Sequence, residues 1–386
     1  MTLKNTFNIA FFGSSTFVLP ILKDIQLHSR SMLGELAKKQ WTSLLESKEN
    51  FIDILPNSLL ELEESIFDQS VLQKKINLTC VVTQSDKEIR GKTVSNVIAN
   101  YAREASLPLY TPFKINDELE IFDKIASNLD IAIVASFGQL LSNDVLATSR
   151  YGFLNWHPSK LPLYRGSTPM QTCLINDDPD TALSWIDMNE YMDAGDIYMQ
   201  LQVDLDKDTT FDELASQMGD LGEKTWAIVA ALRVLEGMKS EGKDVDNGMF
   251  VAKRQDYGQS TKTSLIHKED RMVNLATHTA KQVYNHYRAY SYYPGTWYKS
   301  AYFNQEVKLI LVKGCISQGE FSHCVSKSKG LGEQDEWYVL NHLKGQKVYL
   351  KCKEGYVEVE KICLVSGKSI DFKGFIFESK EEAIAG

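Results

Sequence analysis

The sequence predicts an α/β protein in which a mainly parallel sheet is followed by a second, smaller domain rich in short strands. Apolar, β-branched runs at 7–12, 78–83 and 131–136 alternate with segments of helical spacing, which is the rhythm of βαβ units. The run at 131–136, IAIVAS, is apolar up to its final serine, as is typical of a strand covered on both faces. After residue 300 this rhythm stops, and short strand-like runs follow one another.

The first domain is placed at 1–240 and is expected to be Rossmann-like. Further short apolar runs at 152–156 and 182–188 predict two more strands, and the spacing of 94–105 predicts a helix between them and the first strands. A long helix is expected to begin near Thr210, because Glu213 stands three residues later, as in a capping box.

One stretch of the first domain departs from this rhythm. Residues 25–75 are charged and have a helical pattern, which predicts a helical insertion in the first crossover. The pattern does not indicate what the insertion does. A polar, turn-rich segment at 241–263 is interpreted as a linker to the second domain.

The second domain is placed at 264–386. One helix is expected at about 270–290, and short strands should follow it. A helix with about five short strands suits a small OB-like β-barrel. The candidate strands are 307–314, 336–343, 347–353, 356–364 and 372–377.

The charge of the 386-residue chain is uneven. The net charge is −9, yet residues 262–386 carry 18 Lys and Arg against 14 Asp and Glu. A mildly basic module on an acidic body is consistent with a polyanionic partner, and equally with ordinary solvated surface charge.

The composition also bears on the compartment. No run of about 18 apolar residues is present, so we expect no transmembrane helix and no membrane partner. Residues 1–7 lead directly into the first strand, which leaves no room for a signal or transit peptide. None of the six cysteines is spaced as CxxC, so neither a zinc knuckle nor a redox pair is indicated, and no metal site is expected. These features predict a cytoplasmic protein with reduced thiols.

Three polar residues stand where an α/β sheet places its chemistry. Asn155 and His157 follow a short apolar run, and residues two apart on an extended segment project to the same side. An amide donor and an imidazole could then meet one substrate atom, a useful arrangement for acyl transfer. Asp193 lies in a turn after the next apolar run and could orient the histidine. Taken singly, a histidine such as His157 is more often a structural or surface residue, and an aspartate such as Asp193 is more often a turn carboxylate or cap.

The surrounding residues add a family resemblance. The segment Asn155-Trp156-His157-Pro158-Ser159-Lys160-Leu161-Pro162 resembles the Asn-x-His-Pro-Ser-Leu-Leu-Pro signature of the 10-formyltetrahydrofolate-dependent formyltransferases. That family has its carboxylate in a Leu-Asp-x-Gly turn 38 residues after the asparagine, and here Asp193 stands at that spacing in a Met-Asp-Ala-Gly turn. The resemblance implies that Asn155, His157 and Asp193 form the catalytic triad.

Further segments are similar to the methionyl-tRNA formyltransferase branch of this family. They are FFGSSTF, VVTQSDKEIRGK, VASFGQLLS, RGSTPMQ, IHKEDRMVN, RAYSYYPGTWY and LVSGKSIDFKGF. The similarity covers most of the chain except roughly 25–75 and 315–345. Two departures stand out: Lys160 replaces a usual leucine, and the loop after Asp86 is shorter than in the family.

The resemblance implies a donor, an acceptor and their contacts. The donor is 10-formyltetrahydrofolate, expected to bind Ser159, Lys160, Leu161 and Pro162 in one loop and Phe137 and Gly138 in another. The acceptor is methionyl initiator tRNA, expected to bind the loop containing Lys87, Arg90 and Lys92. Lys299, Lys308, Lys313 and Arg288 are candidate phosphate contacts in the second domain.

Other acceptors remain open on the sequence alone. The main alternative is a sugar-nucleotide N-formyltransferase that uses the same folate donor. A glycinamide ribonucleotide formyltransferase, a formyltetrahydrofolate hydrolase and a non-catalytic binding protein are further possibilities. We expect a monomer.

Overall fold

The computed structural model describes residues 5–47, 63–89, 92–125, 128–245, 250–291, 295–328, 330–334, 336–342 and 345–372. The chain divides into two compact units. The first comprises Met1–Pro169, Asp180–Asp204 and Ala215–Ser264, and the second comprises Met170–Pro179, Leu205–Leu214 and Leu265–Gly386. Two short segments within the predicted first domain therefore belong to the second unit.

The first unit is built on a seven-stranded sheet in the order β5-β2-β1-β6-β7-β8-β9. The first five of these strands run parallel, and β8 and β9 are antiparallel to their neighbours. The mainly parallel sheet predicted from the sequence is confirmed, whereas β9 was not anticipated. The strands of this unit, with the separate β3–β4 hairpin, are β1 Thr6–Gly13, β2 Lys75–Val82, β3 Lys87–Ile89, β4 Lys92–Val94, β5 Leu109–Tyr110, β6 Ile131–Ala135, β7 Phe153–His157, β8 Asp180–Asp187 and β9 Ile197–Asp204.

Helices connect these strands along the chain. They are α1 Leu19–Leu27, α2 Leu33–Glu46, α3 Val97–Glu104, α4 Leu119–Ile125, α5 Asn143–Leu146, α6 Pro169–Asn176 and α7 Phe211–Ser240. One of them, α6, lies almost wholly in the second unit. The capping box predicted for α7 is present, since the backbone N–H of Thr210 donates to Glu213 Oε2 at 2.8 Å and that of Glu213 to Thr210 Oγ1 at 3.4 Å. No helix within the described residues is long and apolar enough to span a membrane.

The predicted insertion contributes α2 to the first unit, while its residues 48–62 lie outside the described part of the chain. Gln40 fixes α2 against α7. Its side-chain amide donates to the carbonyl of Glu223 at 2.9 Å and accepts from the N–H of Ala227 at 3.1 Å. These two backbone groups are the ordinary i and i+4 partners of a helix, so Gln40 is built into the hydrogen-bond ladder of α7.

The core lies close below the carboxyl ends of the parallel strands. Phe12, near the end of β1, makes edge contacts with Phe122, Phe137 and Phe153, with ring centroids 5.2–5.6 Å apart. All four rings are buried. Dense aromatic packing of this kind holds the loops at this edge on a rigid base.

The second unit contains a seven-stranded antiparallel sheet in the order β10-β11-β15-β14-β13-β12, with β16 beside β15. The predicted β-rich second domain is confirmed. Closure into a barrel stays a prediction, because no pairing of β10 with β12 is recorded for the described residues. The strands are β10 Trp297–Ser300, β11 Gln305–Ile316, β12 Gly330–Gln334, β13 Trp337–His342, β14 Gly345–Lys351, β15 Tyr356–Leu364 and β16 Ser369–Asp371.

Two helices accompany this sheet, α8 Ala280–Ala289 and α9 Gln318–Ser326. The helix predicted at about 270–290 begins ten residues later than expected, because Thr279 and Gln282 form a capping box that fixes its start. The predicted strand at 372–377 lies outside the described residues apart from Phe372.

The segment predicted as a linker is more than a connection. Residues 250–264, called the strap below, belong to the first unit. Lys253 forms a bridge with Ile197 at the start of β9. Arg165 exchanges backbone hydrogen bonds with the strap, donating to Thr261 at 2.9 Å and accepting from Thr263 at 2.7 Å. Polar, turn-rich composition predicted a linker, and the backbone of its last part is paired with β9 and with the loop after β7.

Candidate active site

Strand β7 brings two of the predicted residues to one face. Its side chains alternate, so Trp156 points away from Asn155 and His157. The Trp156 ring is buried and donates from Nε1 to the carbonyl of Met218 in α7 at 3.1 Å. This anchor fixes the rotation of the strand and directs Asn155 and His157 to the opposite face.

Asp193 lies in a tight turn after β8. Its φ is +52°, a left-handed conformation that aspartate tolerates better than most residues. Gly195 lets the turn close against the strand, since a Cβ atom at this position would stand 1.7 Å from the carbonyl oxygen of Asp187. Backbone strain of this kind is found where a side chain has to be held in one place.

The three predicted residues converge in the structure. Asn155 donates from Nδ2 to Asp193 Oδ1 at 3.1 Å, and His157 Nδ1 lies 3.6 Å from the same oxygen. The other carboxylate oxygen of Asp193 accepts from the backbone N–H of Gly166 at 2.7 Å. Asp193 therefore links the face of β7 to the loop that follows it.

The environment of His157 favours one tautomer. Its Nε2 lies 3.1 Å from the carbonyl oxygen of Tyr164, which can only accept, so Nε2 carries a proton. Nδ1 is then the nitrogen free to take up a second proton, and it faces the carboxylate of Asp193. The ring is only 4% exposed, so its orientation is fixed by packing as well as by the hydrogen bond.

The contact with Asp193 occupies only one of the two N–H groups of the Asn155 amide. An asparagine side chain has two N–H groups, and the contact with Asp193 uses one of them. The other can stabilise an oxygen on which negative charge develops. An amide, an imidazole and a carboxylate in mutual contact are suited to acyl transfer.

In the loop predicted to bind the folate, most of the described side chains are turned inward. Ser159 is fully buried and donates from Oγ to the carbonyl of Leu163 at 2.7 Å. Leu161 packs with Ile186 and Ile197. Lys160 forms an ion pair with Asp180 at 2.5 Å, and Pro162 is partly exposed. These side chains shape the loop, so its backbone is what a cosubstrate could contact.

The second predicted folate segment follows β6. Phe137 is buried in the aromatic core, and its carbonyl accepts from Ser14 Oγ at 3.2 Å and Gln84 Nε2 at 2.9 Å. Gly138 is exposed, with φ +81°. A Cβ at Gly138 would stand 2.4 Å from Gln84 Nε2, so glycine permits this close approach.

Sequence reasoning missed a polar network at the same edge. Ser15 and Ser136 share a hydrogen bond of 2.6 Å, and Ser14 lies 3.3 Å from Thr83 Oγ1. With Gln84, these residues follow β1, β2 and β6, whose carboxyl ends are adjacent. Their position after successive parallel strands is the signal that could have identified them.

Exposed apolar side chains lie on the loops that contain Ser136 and Asp193. Leu140, Tyr191 and Met192 are 54–66% exposed on the loops after β6 and β8. The two loops are joined by a hydrogen bond from Asn143 Nδ2 to Glu190 Oε2 at 3.4 Å. Exposed apolar side chains next to convergent polar groups are typical of a ligand site.

A buried ionic cluster underlies the Asp193 turn. Arg233 lies 3.5 Å from Asp187 Oδ2, and Tyr198 donates to Glu236. Burial raises the pKa of Asp187, while Arg233 opposes the rise. The cluster joins α7 to the ends of β8 and β9, beneath the turn.

The predicted tRNA loop has a backbone that can be described in part. Lys87 and Lys92 lie on the two strands of the β3–β4 hairpin. Their side-chain positions and Arg90 lie outside the described part of the structure. The role predicted for these residues stays a prediction.

One candidate phosphate contact in the second unit is wrong. Arg288 is 2% exposed and pairs with Asp177 at 3.2 Å, so it is not available at the surface. It also donates to the carbonyls of Leu174, Asp206 and Thr209. The guanidinium of Arg288 therefore forms its hydrogen bonds inside the second unit. There it holds the segments Met170–Pro179 and Leu205–Leu214 against α8.

The other second-unit candidates differ in how they are engaged. Lys299 is exposed, Lys308 is half-buried and Lys313 lies 3.6 Å from Glu360.

Among the residues the structure describes, no group of three or more His, Cys, Asp or Glu side chains could hold a metal ion.

The chain matches two profiles of one known protein family. A profile described as formyl transferase matches residues 57–232, and one described as the formyl transferase C-terminal domain matches residues 265–379. The chain belongs to the formyl transferase family, and the predicted family resemblance is confirmed.

Within this family, the chain is similar to methionyl-tRNA formyltransferases. It is 32% identical to that of Thermotoga neapolitana over 78% of this chain and 88% of the relative, and 30% identical to that of Thermotoga maritima over 79% and 88%. A crystal structure of a sugar N-formyltransferase from Shewanella matches with a TM-score of 0.50 and 14% identity, over 79% of this chain and 97% of that protein. At that identity the likeness supports the fold alone.

Proposed function

We propose that the protein transfers the formyl group of 10-formyltetrahydrofolate to the α-amino group of methionyl initiator tRNA. The observation that carries this proposal is the convergence of Asn155 and His157 on one oxygen of Asp193. The similarity to methionyl-tRNA formyltransferases over most of the chain supports the choice of acceptor.

His157 serves as the proton acceptor. An amine attacks only when its nitrogen lone pair is free, so a proton has to leave it during the reaction. Nδ1 of His157 is the position for that proton, because Nε2 is already held by the carbonyl of Tyr164. The imidazolium that forms lies beside the Asp193 carboxylate, which stabilises its charge. As the bond from the formyl carbon to N10 of the folate breaks, this proton passes from His157 to N10, directly or through water, so that N10 leaves as a neutral amine.

Asn155 serves as the oxygen-binding group. Its contact with Asp193 fixes the amide plane and leaves one N–H directed elsewhere. Because the amide is held before substrate arrives, it stabilises a developing negative charge at little reorganisation cost. Asp193 thus positions both the donor amide and the proton acceptor.

The edge of the sheet fits a folate donor. When bound, 10-formyltetrahydrofolate supplies the formyl group, and its flat bicyclic ring needs apolar cover with backbone donors and acceptors around it. Leu140 and Met192 offer exposed apolar surface, and the loop at Gly138 offers accessible backbone. Ser159, Lys160, Leu161 and Pro162 contribute through the course of their loop.

The acceptor contacts are assigned to the β3–β4 hairpin and the second unit. Lys87, Arg90 and Lys92 supply cations, and the basic balance of 262–386 supplies others. We further propose a cytoplasmic monomer. The six cysteines, all free, suit a reducing compartment.

A direct assay tests the proposed function. The purified protein is incubated with 10-formyltetrahydrofolate and charged initiator methionyl-tRNA, and formyl-methionyl-tRNA is measured. We expect product with this acceptor and none with uncharged tRNA. A parallel reaction offers an amino-sugar nucleotide. Turnover of the sugar nucleotide with no formylated tRNA would overturn the proposal and establish the alternative acceptor.

A further inference from the structure

The strap reaches the catalytic residues through one side chain. Gln255 is 5% exposed, and its amide uses its full hydrogen-bonding capacity. Oε1 accepts from Arg165 Nε at 3.1 Å and Nη2 at 2.8 Å. Nε2 donates to the carbonyls of Asp193 at 2.9 Å and Gly195 at 2.7 Å.

These contacts define the orientation of the amide. A guanidinium can only donate and a carbonyl can only accept, so Oε1 must face Arg165 and Nε2 must face the turn. Gln255 thereby joins two separate pieces of the active site. Arg165 belongs to the loop after β7, and Asp193 and Gly195 belong to the turn after β8.

A second strap residue supports the same connection. The Tyr257 ring lies 4.7 Å from the Arg165 guanidinium carbon, within cation–π range, and its hydroxyl donates to the carbonyl of Ala194 at 3.2 Å. Tyr257, like Gln255, therefore contacts both the loop and the turn. The strap thus joins the loop to the backbone of the turn, in addition to the Gly166 contact with the Asp193 carboxylate.

We propose that Gln255 is a positioning residue for this reaction, which holds the backbone of the Asp193 turn against Arg165 so that the Asp193 carboxylate meets Asn155 and His157. The inference rests on the proposed function. Asp193 accepts through its side chain from Asn155 and Gly166, but those contacts leave its main chain to be fixed by Gln255. A carboxylate displaced by about 1 Å would lower the rate by up to about 10²-fold.

The substitution Gln255→Glu isolates this role. Glutamate has almost the same shape and keeps an acceptor for Arg165, but it replaces the two N–H donors with an oxygen facing two carbonyls. The loop side of the contact survives while the turn side is repelled. We expect kcat to fall by about 10- to 100-fold, with KM for both substrates within about threefold of wild type.

Gln259→Glu is the matched control. Gln259 is exposed in the same strap, and its amide donates to Asp256 at 2.9 Å. The same chemical change there should leave kcat within about twofold of wild type. Equal loss in both variants would overturn the proposal, since it would show only that the strap tolerates no new charge.

A double-mutant cycle separates positioning from a general structural effect. If Gln255 acts through Asp193, adding Gln255→Glu to Asp193→Asn should lower the remaining kcat by less than about threefold. Multiplication of the two losses would show independent action and overturn the proposal. Thermal unfolding of all variants identifies any loss of folding.

A crystal structure of the Gln255→Glu protein gives a readout that does not depend on the acceptor. We expect the distance from His157 Nδ1 to Asp193 Oδ1, 3.6 Å in the wild type, to increase by about 1 Å. An unmoved turn would overturn the positioning role. A wild-type enzyme inactive with methionyl-tRNA would instead contradict the proposed function and leave this structural test in force.

Discussion

The catalytic edge of the first unit and the cationic residues predicted to contact tRNA are built in different ways. At the catalytic edge, His157 and Asp193 are largely enclosed and have fixed partners within 3.6 Å. The tRNA candidates that the structure describes in the second unit have few such partners: Lys299 is exposed, and Lys313 lies 3.6 Å from Glu360.

This difference separates chemistry from recognition. Buried polar groups that satisfy one another define a geometry, and a small displacement of any of them is felt by the others. Solvated cations attract a polyanion collectively, so each contributes a small and screened share. A single substitution at the catalytic edge should therefore lower the rate strongly. A single substitution on the cationic surface should weaken tRNA binding only slightly.

The largest effect is expected from His157→Ala. Removing the proton acceptor should lower kcat for formyl-methionyl-tRNA formation by about 10²- to 10⁴-fold. KM for methionyl-tRNA should change little, because the buried ring contributes to the reaction and not to the docking of the acceptor. Steady-state kinetics with saturating 10-formyltetrahydrofolate measure both constants.

His267→Ala is the control, because His267 is exposed and belongs to the second unit. Its kcat should equal that of the wild type. Unchanged turnover in His157→Ala would show that this residue is not the proton acceptor. It would also contradict the expectation that substitutions at the catalytic edge have the largest effects.

A smaller effect, on stability, is expected from Arg288→Met. Methionine preserves much of the volume but leaves Asp177 and the carbonyls of Leu174 and Thr209 without their buried donor. We expect a loss of about 3 kcal/mol in the free energy of unfolding. Urea titration followed by circular dichroism measures this loss.

The control for this variant is Lys281→Met. Lys281 pairs with the same Asp177 at 3.0 Å, yet its side chain is 43% exposed, so its removal should cost less than about 1 kcal/mol. Normal stability of Arg288→Met together with a weaker salt dependence of tRNA binding would restore Arg288 to the cationic surface.

A pH effect is expected from His286 in the second unit. Burial lowers its pKa to about 4, and neighbouring His278 adds to the lowering. The unfolded chain takes up this proton near pH 6.5, whereas the folded unit resists it until about pH 4. The titration of His286 therefore leaves the free energy of unfolding unchanged above about pH 6.5. Below that pH it lowers the free energy of unfolding, by about 2 kcal/mol at pH 5.

The variant His286→Gln removes this titration. Urea unfolding at pH 7.5 and pH 5.0 should show a smaller difference for His286→Gln than for the wild type, by about 2 kcal/mol. His323→Gln, at an exposed position of the same unit, should keep the wild-type difference. An identical pH dependence in all three proteins would contradict the burial argument.

Part of the catalytic edge could be predicted because its information is local. Asn155 and His157 share a face through strand alternation, and apolar runs predicted the strands of the parallel sheet. These two inferences need only a few neighbouring residues and the geometry of a strand. The inclusion of Asp193, and the catalytic roles of all three residues, came instead from the resemblance to formyltransferases and its 38-residue spacing.

The strap could not be predicted in the same way. Gln255 contacts Arg165 across 90 positions and Asp193 across 62, and its neighbours have the polar composition of a free connection. Arg288 was mispredicted for the same reason. An arginine in a basic domain suggests a phosphate contact, and the sequence does not show that this one is buried. Long-range pairing of polar groups leaves no periodic signal in the sequence.

The smallest effect is expected from Arg90→Ala, which tests the cationic side of the comparison. One arginine that contacts a phosphate contributes a screened interaction, so KM for methionyl-tRNA should rise by up to about fivefold. Loss of one phosphate contact should also make the slope of log K for tRNA binding against log salt shallower by about 1. Filter binding at several salt concentrations measures this slope.

Lys114→Ala controls for the loss of a cation in the first unit, since Lys114 has a 68% exposed side chain on a different connection, between β5 and α4. Its salt slope should match that of the wild type, and folate affinity should be unchanged in both variants. Equal loss of folate and tRNA binding in Arg90→Ala would indicate damage to the fold. A drop in kcat as large as that of His157→Ala would mean that the hairpin belongs to the catalytic edge, and that recognition and chemistry are not divided between the two regions.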